Sequence, residues 1–291
     1  MKYKKLALYF AHVKNLECCM TLQAMYDAIA SQHAMANRFG SLSDSHRCAI
    51  AQIQQAHLGQ GPHYKVLDLG VGNGAFLQEL RQHMPLAEFT GIDVSKDMLK
   101  QASEALPLTT IETSATEANR FLPYHSQDLV LAHFINAYIP IKTLFHQAAL
   151  LSRSDGYFSI ITTTYDSFPV AQEQLAAFVS KESLLSSIIG HYYKAAVRNT
   201  TVAANETELL LAFSDHQFKV IEHQRLHIPI TFNNIDELAQ FGIEGTWFLN
   251  NVTIRMLPKN FLLARLKRLF GRIFTFPYHD THIIDVVLAK K

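Results

Sequence analysis

The chain has 291 residues, 26 Lys and Arg against 25 Asp and Glu for a formal net charge of +1, and 48% hydrophobic residues. That length suits one large domain or a domain with a substantial insertion, and the apolar share is enough to bury a sizeable core. The near-zero charge argues against a global nucleic-acid footprint, no run approaches the ~20 apolar residues that cross a bilayer, and Cys18, Cys19 and Cys48 show no metal spacing and read as reduced thiols.

Lys2, Lys4 and Lys5 precede the apolar run Leu6 to Ala11, but His12 and Lys14 cut it short and no small-residue cleavage site follows. The expected location is therefore the cytoplasm. Leu16, Met20, Leu22, Met25, Tyr26 and Ile29 recur near helical spacing, so residues 1–40 read as a helical cap and 41–291 as the main domain. Gly40 to Asp44 marks a break with capping residues, Ser45 to Leu58 a first helix, and Gly59 to Pro62 a loop.

Lys65 to Leu69 is a short apolar run centred on Asp68, the pattern of a buried strand. Gly70, Gly72 and Gly74 follow at alternate positions around Asn73, then a helical stretch from Ala75 to Met84. Glycines there permit backbone angles barred to other residues and leave no side chain between backbone and ligand. Glu88 to Asp93 is a second strand ending in an acid, placed where a carboxylate can accept both hydroxyls of a ribose. The stretch is thus a nucleoside site. Gly70, Gly72 and Ala75 also satisfy a dinucleotide fingerprint, but Asp68 sits two residues before the first glycine and would repel a pyrophosphate. It suits a ligand carrying an ammonium or sulfonium.

Asp68-x-Gly70-x-Gly72-x-Gly74 resembles motif I of the class I S-adenosyl-L-methionine-dependent methyltransferases, and Gly91 to Leu99 resembles their second motif. The resemblance implies an α/β fold: a Rossmann-like three-layer sandwich whose seven-stranded sheet has the order 3-2-1-4-5-7-6 with the last strand antiparallel. It implies S-adenosyl-L-methionine as cofactor and S-adenosyl-L-homocysteine as product. Asp68, Gly70, Gly72, Asn73 and Gly74 would line the cofactor, with Asp93 on the ribose and Val94 and Met98 under the adenine. Met25 to Ala30 resembles a leading segment that closes over the cofactor in small-molecule members, with ordinary helix packing as the alternative.

Ser95 caps the next helix, through Met98, Leu99 and Ala102, and Leu108 to Thr113 is strand three. The family usually has an acid just after it, accepting the adenine amino group; here Ser114 stands in its place, Ala115 offers its backbone N–H, and Glu117 comes slightly late. Asp128 opens strand four, so His133, Phe134, Asn136 and Tyr138 fall at its exit, near the sulfonium and methyl group, with His133 and Phe134 lining the cofactor. Pro140 to Leu151 reads as a helix, Ser154 to Gly156 as a turn and Tyr157 to Thr163 as strand five. Val170 to Arg198 is helix-rich, Glu206 to Ser214 another helix, and Phe218 to His223 and Ile283 to Leu288 the last two strands. Segments 170–200 and 230–277 would then form a substrate lid.

Arg255, Lys259, Arg265, Lys267, Arg268 and Arg272 occur without an acid among them and interleave with Phe261, Leu262, Leu266 and Phe270. A basic amphipathic helix over 255–273 can lie on an anionic membrane surface, or pack on the sheet with its basic face in water. Methyl transfer is an in-line displacement needing orientation, and a base only when the nucleophile arrives protonated. His133 is the best-placed base; the alternative is that its ring packs and only its backbone lines the cofactor. His191 with Tyr192 and Tyr193, and His279 with Asp280 and His282, could be ligands or bases, though surface or satisfied core positions are the simpler reading. The expected activity is methyl transfer to O, N or C of a small molecule or carrier-bound acyl group. Alternatives are an RNA-nucleoside methyltransferase, a membrane-associated lipid or quinone methyltransferase, and a protein that binds the cofactor without turnover.

Overall fold

The computed structural model describes residues 37–136, 138–181, 201–244 and 259–291. The expected helical cap, save its last residues, lies outside them, as do the Met25 to Ala30 segment, His191 to Tyr193 and Arg255.

The elements run α1 (Ser41–Gln55), β1 (Lys65–Leu69), α2 (Ala75–Arg81), β2 (Glu88–Asp93), α3 (Lys96–Ala105), β3 (Thr109–Glu112), a 3-10 turn (Ala115–Arg120) and β4 (Gln127–His133). There follow α4 (Ile141–Leu151), β5 (Ser152–Thr162), α5 (Pro169–Val179), α6 (Glu206–Asp215), β6 (Lys219–Phe232), α7 (Ile235–Glu244), α8 (Lys259–Ile273) and β7 (Tyr278–Lys290). The seven strands form one sheet in the order β3-β2-β1-β4-β5-β7-β6, as the resemblance implied. Strands β1 to β5 pair in parallel, and β7 is antiparallel to both β5 and β6.

Alternation along the strands builds a core on each face. Val66, Leu129 and Leu131 pack with Ile53 of α1 and Leu77 and Leu80 of α2. Leu67, Leu69, Val130 and Ala132 face the other way, onto Leu144 and Phe145 of α4 and Leu209 and Phe213 of α6. Each such fully buried side chain contributes about 1.5–3 kcal/mol. A third cluster forms where β6 and β7 run past the sheet: Ile230, Phe232 and Tyr278 meet Leu238 and Phe241 of α7 and Phe270 of α8. The order of strands reverses between β1 and β4, and in open α/β sheets that switch point is where ligands bind.

Several expected boundaries are corrected. Helix α1 starts at Ser41, after Gly40 in the left-handed region, rather than at Ser45. The expected turn at Ser154 to Gly156 is an irregularity inside β5: Gln127 pairs with Ser152 and Leu129 with Tyr157. Strand β6 continues nine residues past His223 to Phe232, so the segment before β7 begins later than residue 230 and contains helices α7 and α8. Strand β7 begins at Tyr278, five residues before the expected Ile283.

Candidate cofactor site

The turn after β1 is bound to β2: Gly70 N and Val71 N both donate to Ile92 O, at 2.8 and 2.9 Å. Its glycines serve different ends. Gly70 has φ +97°, and a Cβ there would lie 2.4 Å from Ile135 Cδ1. Gly72 has φ +55°, and a Cβ there would meet no atom of the described residues within 4 Å. So Gly70 is required by packing, whereas Gly72 opens onto space that a ligand can fill.

Asp93 ends β2 facing this turn. Its Oδ2 accepts the Gly72 N–H and its Oδ1 the Ser95 N–H, each at 2.9 Å. Ser95 in turn caps α3, accepting from Met98 N at 3.2 Å. The two backbone bonds fix the carboxylate plane. A carboxylate has about four lone-pair sites, so the geometry remains compatible with two ribose hydroxyls. Val94 is half-buried, and Met98 is buried. Ser114 caps the 3-10 turn, accepting from Thr116 N at 3.3 Å with its Oγ 2.9 Å from Thr116 Oγ1. Ala115 is buried behind it, and Glu117 turns away to Arg120 at 2.6 Å. Asn73 Oδ1 accepts from Ala75 N at 3.2 Å, closing the turn before α2.

Asp68 is 2% exposed, and its Oδ1 has no hydrogen-bond partner among the described residues. Burial, and then repulsion from Asp93, push its carboxyl up to about 8. A buried carboxyl oxygen without a donor costs about 1–3 kcal/mol. A cation placed against it would recover that cost and restore the charged form. The open space at Gly72, the fixed Asp93 and the unsatisfied Asp68 together fit a nucleoside bearing a positive centre.

At the exit of β4, His133 packs edge-on against Phe76, with ring centroids 4.2 Å apart, and its Nε2 lies 3.1 Å from Ser159 Oγ. Burial, and then the neighbouring His46, hold the imidazole well below its ordinary range. A neutral, weakly basic ring is the result, which favours the packing role over proton transfer. Phe134 takes φ +55°, a conformation costly for a non-glycine residue, and donates its N–H to Ile161 O at 2.7 Å. Asn136 is 1% exposed, and Tyr138 is half-buried.

The histidines of β7 are hydrogen-bonded to neighbouring elements. His282 Nδ1 meets Ser41 Oγ at 2.9 Å and its ring stacks on Phe168; His279 Nδ1 meets Thr231 Oγ1 at 2.9 Å. Asp280 accepts from Val170 N and Ala171 N, at 3.0 and 2.8 Å, and so caps α5. One charged cluster had no forecast from sequence. Asp285, with no exposure, lies 2.8 Å from His223 Nε2 and 3.7 Å from Arg225 Nη1, and Arg225 reaches Asp166 at 2.7 Å and Glu206 at 3.3 Å. The signal that could have found it is an acid inside the otherwise apolar run Ile283 to Leu288. On α8, Phe270 turns into the third core cluster, Lys267 pairs with Asp236 at 2.6 Å, and Arg268 is exposed. No helix among the described residues is long and apolar enough to cross a membrane.

Residues 66–156 match the family model of a methyltransferase domain. A trans-aconitate 2-methyltransferase of Afipia carboxidovorans is 34% identical over 96 residues, covering 32% of this chain and 34% of that protein. A ubiquinone/menaquinone biosynthesis C-methyltransferase of Desulfotalea psychrophila is 28% identical over 103 residues, 35% of this chain and 41% of that protein. The chain thus spans 34% and 41% of the length of these two curated relatives. Among solved structures, a candidate methyltransferase of Bacillus halodurans superposes with a TM-score of 0.52 at 14% identity, covering 83% of this chain and 98% of that one. That likeness establishes the fold.

Proposed function

We propose, from the class I methyltransferase domain that this chain carries, that the protein transfers a methyl group from S-adenosyl-L-methionine to a small molecule. The observation that carries the reading is Asp68: a buried carboxyl with an unsatisfied oxygen, directly before a glycine turn that Asp93 holds open. The cofactor supplies a methyl carbon already activated by a sulfonium. Asp68 would face its positive centre, Gly72 would admit its backbone-hugging portion, and Asp93 would hold its ribose. Ser114 and Ala115 would edge the adenine, with Val94 and Met98 beneath it, and Phe134 and the His133 backbone would border the methyl group. The protein's own contribution is to hold the reactants in line and keep water out, and orientation of this kind can supply ~7–11 kcal/mol.

The two relatives act, by their names, on an organic acid and in quinone biosynthesis. Both are small-molecule chemistries, which supports that substrate class here. The segments over 170–200 and 233–277 are the natural substrate cover, since α5, α7 and α8 gather beyond one end of the sheet. The test is calorimetry with S-adenosyl-L-methionine, followed by turnover read as S-adenosyl-L-homocysteine release. Saturable binding with release in the presence of an acceptor supports the reading, and no binding removes it.

A further inference from the structure

The exit of β4 holds an amide that nothing among the described residues satisfies. Asn136 is 1% exposed, yet its Nδ2 has no acceptor. The chain around it is fixed rather than loose. Phe134 N donates to Ile161 O at 2.7 Å, and Tyr138 N and Ile139 N both donate to Ile135 O, at 2.9 and 3.2 Å. Ile135 closes over Gly70, where a Cβ would come within 2.4 Å of its Cδ1. Asn136 therefore follows directly on the side chain that roofs the glycine turn, at the sheet's switch point, the crevice where ligands bind in open α/β sheets. A buried donor left empty is costly, and a ligand oxygen is the group that would relieve it.

The neighbouring groups say what kind of oxygen. An alcohol or an ammonium must lose a proton to attack, and this needs a base. The imidazole on the exit of β4 itself is His133, which lies against Ser159 Oγ at 3.1 Å and beneath Phe76, with the His46 ring of α1 beside it at 6.5 Å between centroids. Burial keeps His133 weakly basic. A carboxylate needs no base, because it is already ionised at neutral pH.

We propose that Asn136 is a substrate-binding residue whose amide donates to one oxygen of a carboxylate on the methyl acceptor, the other oxygen being the nucleophile. This rests on the methyltransferase reading above. In the step, the free carboxylate oxygen gives an electron pair to the methyl carbon and the carbon–sulfur bond breaks with its pair left on sulfur. A methyl ester and a neutral thioether result, and no proton moves.

The test begins with S-adenosyl-L-methionine binding to the intact chain, which judges the methyltransferase reading by itself. The protein saturated with S-adenosyl-L-homocysteine is then titrated calorimetrically with trans-aconitate and butanedioate, and with butane-1,4-diol and butane-1,4-diamine. The same compounds are assayed for turnover. The carboxylates are expected to bind and to be methylated in preference to the diol and diamine. Asn136→Leu should weaken carboxylate binding and raise its KM about tenfold, with cofactor affinity within about twofold of the parent. Asn136→Asp, almost the same in shape, should weaken it further by repulsion and guards against a packing artefact. A protein that binds the cofactor but takes neither carboxylate, or prefers the diamine or diol, overturns the proposal. So do two variants that bind cofactor and carboxylate as the parent does.

Discussion

The Asp93 carboxylate accepts the Gly72 backbone N–H at 2.9 Å, tying the end of β2 to the middle of the glycine turn. One side chain therefore shapes the turn and, in the proposed function, holds the ribose. Asp93→Ala should lower stability by about 1–3 kcal/mol, since Gly72 N and Ser95 N both lose their acceptor. It should also weaken S-adenosyl-L-methionine binding by more than about tenfold. Urea unfolding and calorimetry on the same preparation read the two effects.

Gly70→Ala and Gly72→Ala separate packing from ligand access. The first places a methyl group 2.4 Å from Ile135 Cδ1 at φ +97° and should cost about 2–5 kcal/mol of stability. Ile135→Ala in the same chain should return part of that loss. The second meets no atom of the described residues within 4 Å, so it should cost only about 1–2 kcal/mol through its left-handed backbone, yet impair cofactor binding strongly. Thermal unfolding set beside cofactor affinity distinguishes the two patterns.

Asp68 sets a pH dependence with a definite sign. Its carboxyl titrates near 3.9 in an unfolded chain and near 8 in the folded one. Between those values the folded state holds the extra proton. Its contribution to stability therefore falls as pH rises from about 4 to about 8, by at most ~1.4 kcal/mol per pH unit. Asp68→Asn, which stays neutral, should lack that slope. Urea midpoints of parent and variant across the window test it; parallel curves would contradict it.

The most legible parts were those specified locally. Strands β1 and β2 occupy the expected residues because each is a short run ended by a glycine turn or an acid, and Ser95 caps α3 through its own neighbour Met98. The ends of β6 and β7 were not legible for the opposite reason. Arg225, His227 and Pro229 interrupt the apolar pattern of β6, which lies at the sheet edge where a proline is tolerated. Asp280, His282 and Asp285 are buried in β7 only because partners far away in sequence satisfy them: Val170 N, Ser41 and Arg225. The empty amide of Asn136 was invisible for a similar reason. A sequence shows that a residue is polar, but not that it is buried and unmatched.

That distant pairing has an energetic consequence. Arg225→Met would leave the buried Asp285 with the His223 ring as its close hydrogen-bond partner and without its guanidinium, and should cost about 3 kcal/mol. Adding Asp285→Asn should restore much of it, because the uncompensated charge is gone. A double-mutant cycle from urea unfolding measures the coupling, and additive losses would argue against it.

Calorimetric titration of the protein with S-adenosyl-L-methionine and, separately, with NAD is the most direct test of what Asp68 does at the glycine turn. Saturable one-site binding of the sulfonium nucleoside is expected, with no detectable binding of the pyrophosphate. Binding of NAD at that turn, or no heat from S-adenosyl-L-methionine, would contradict it.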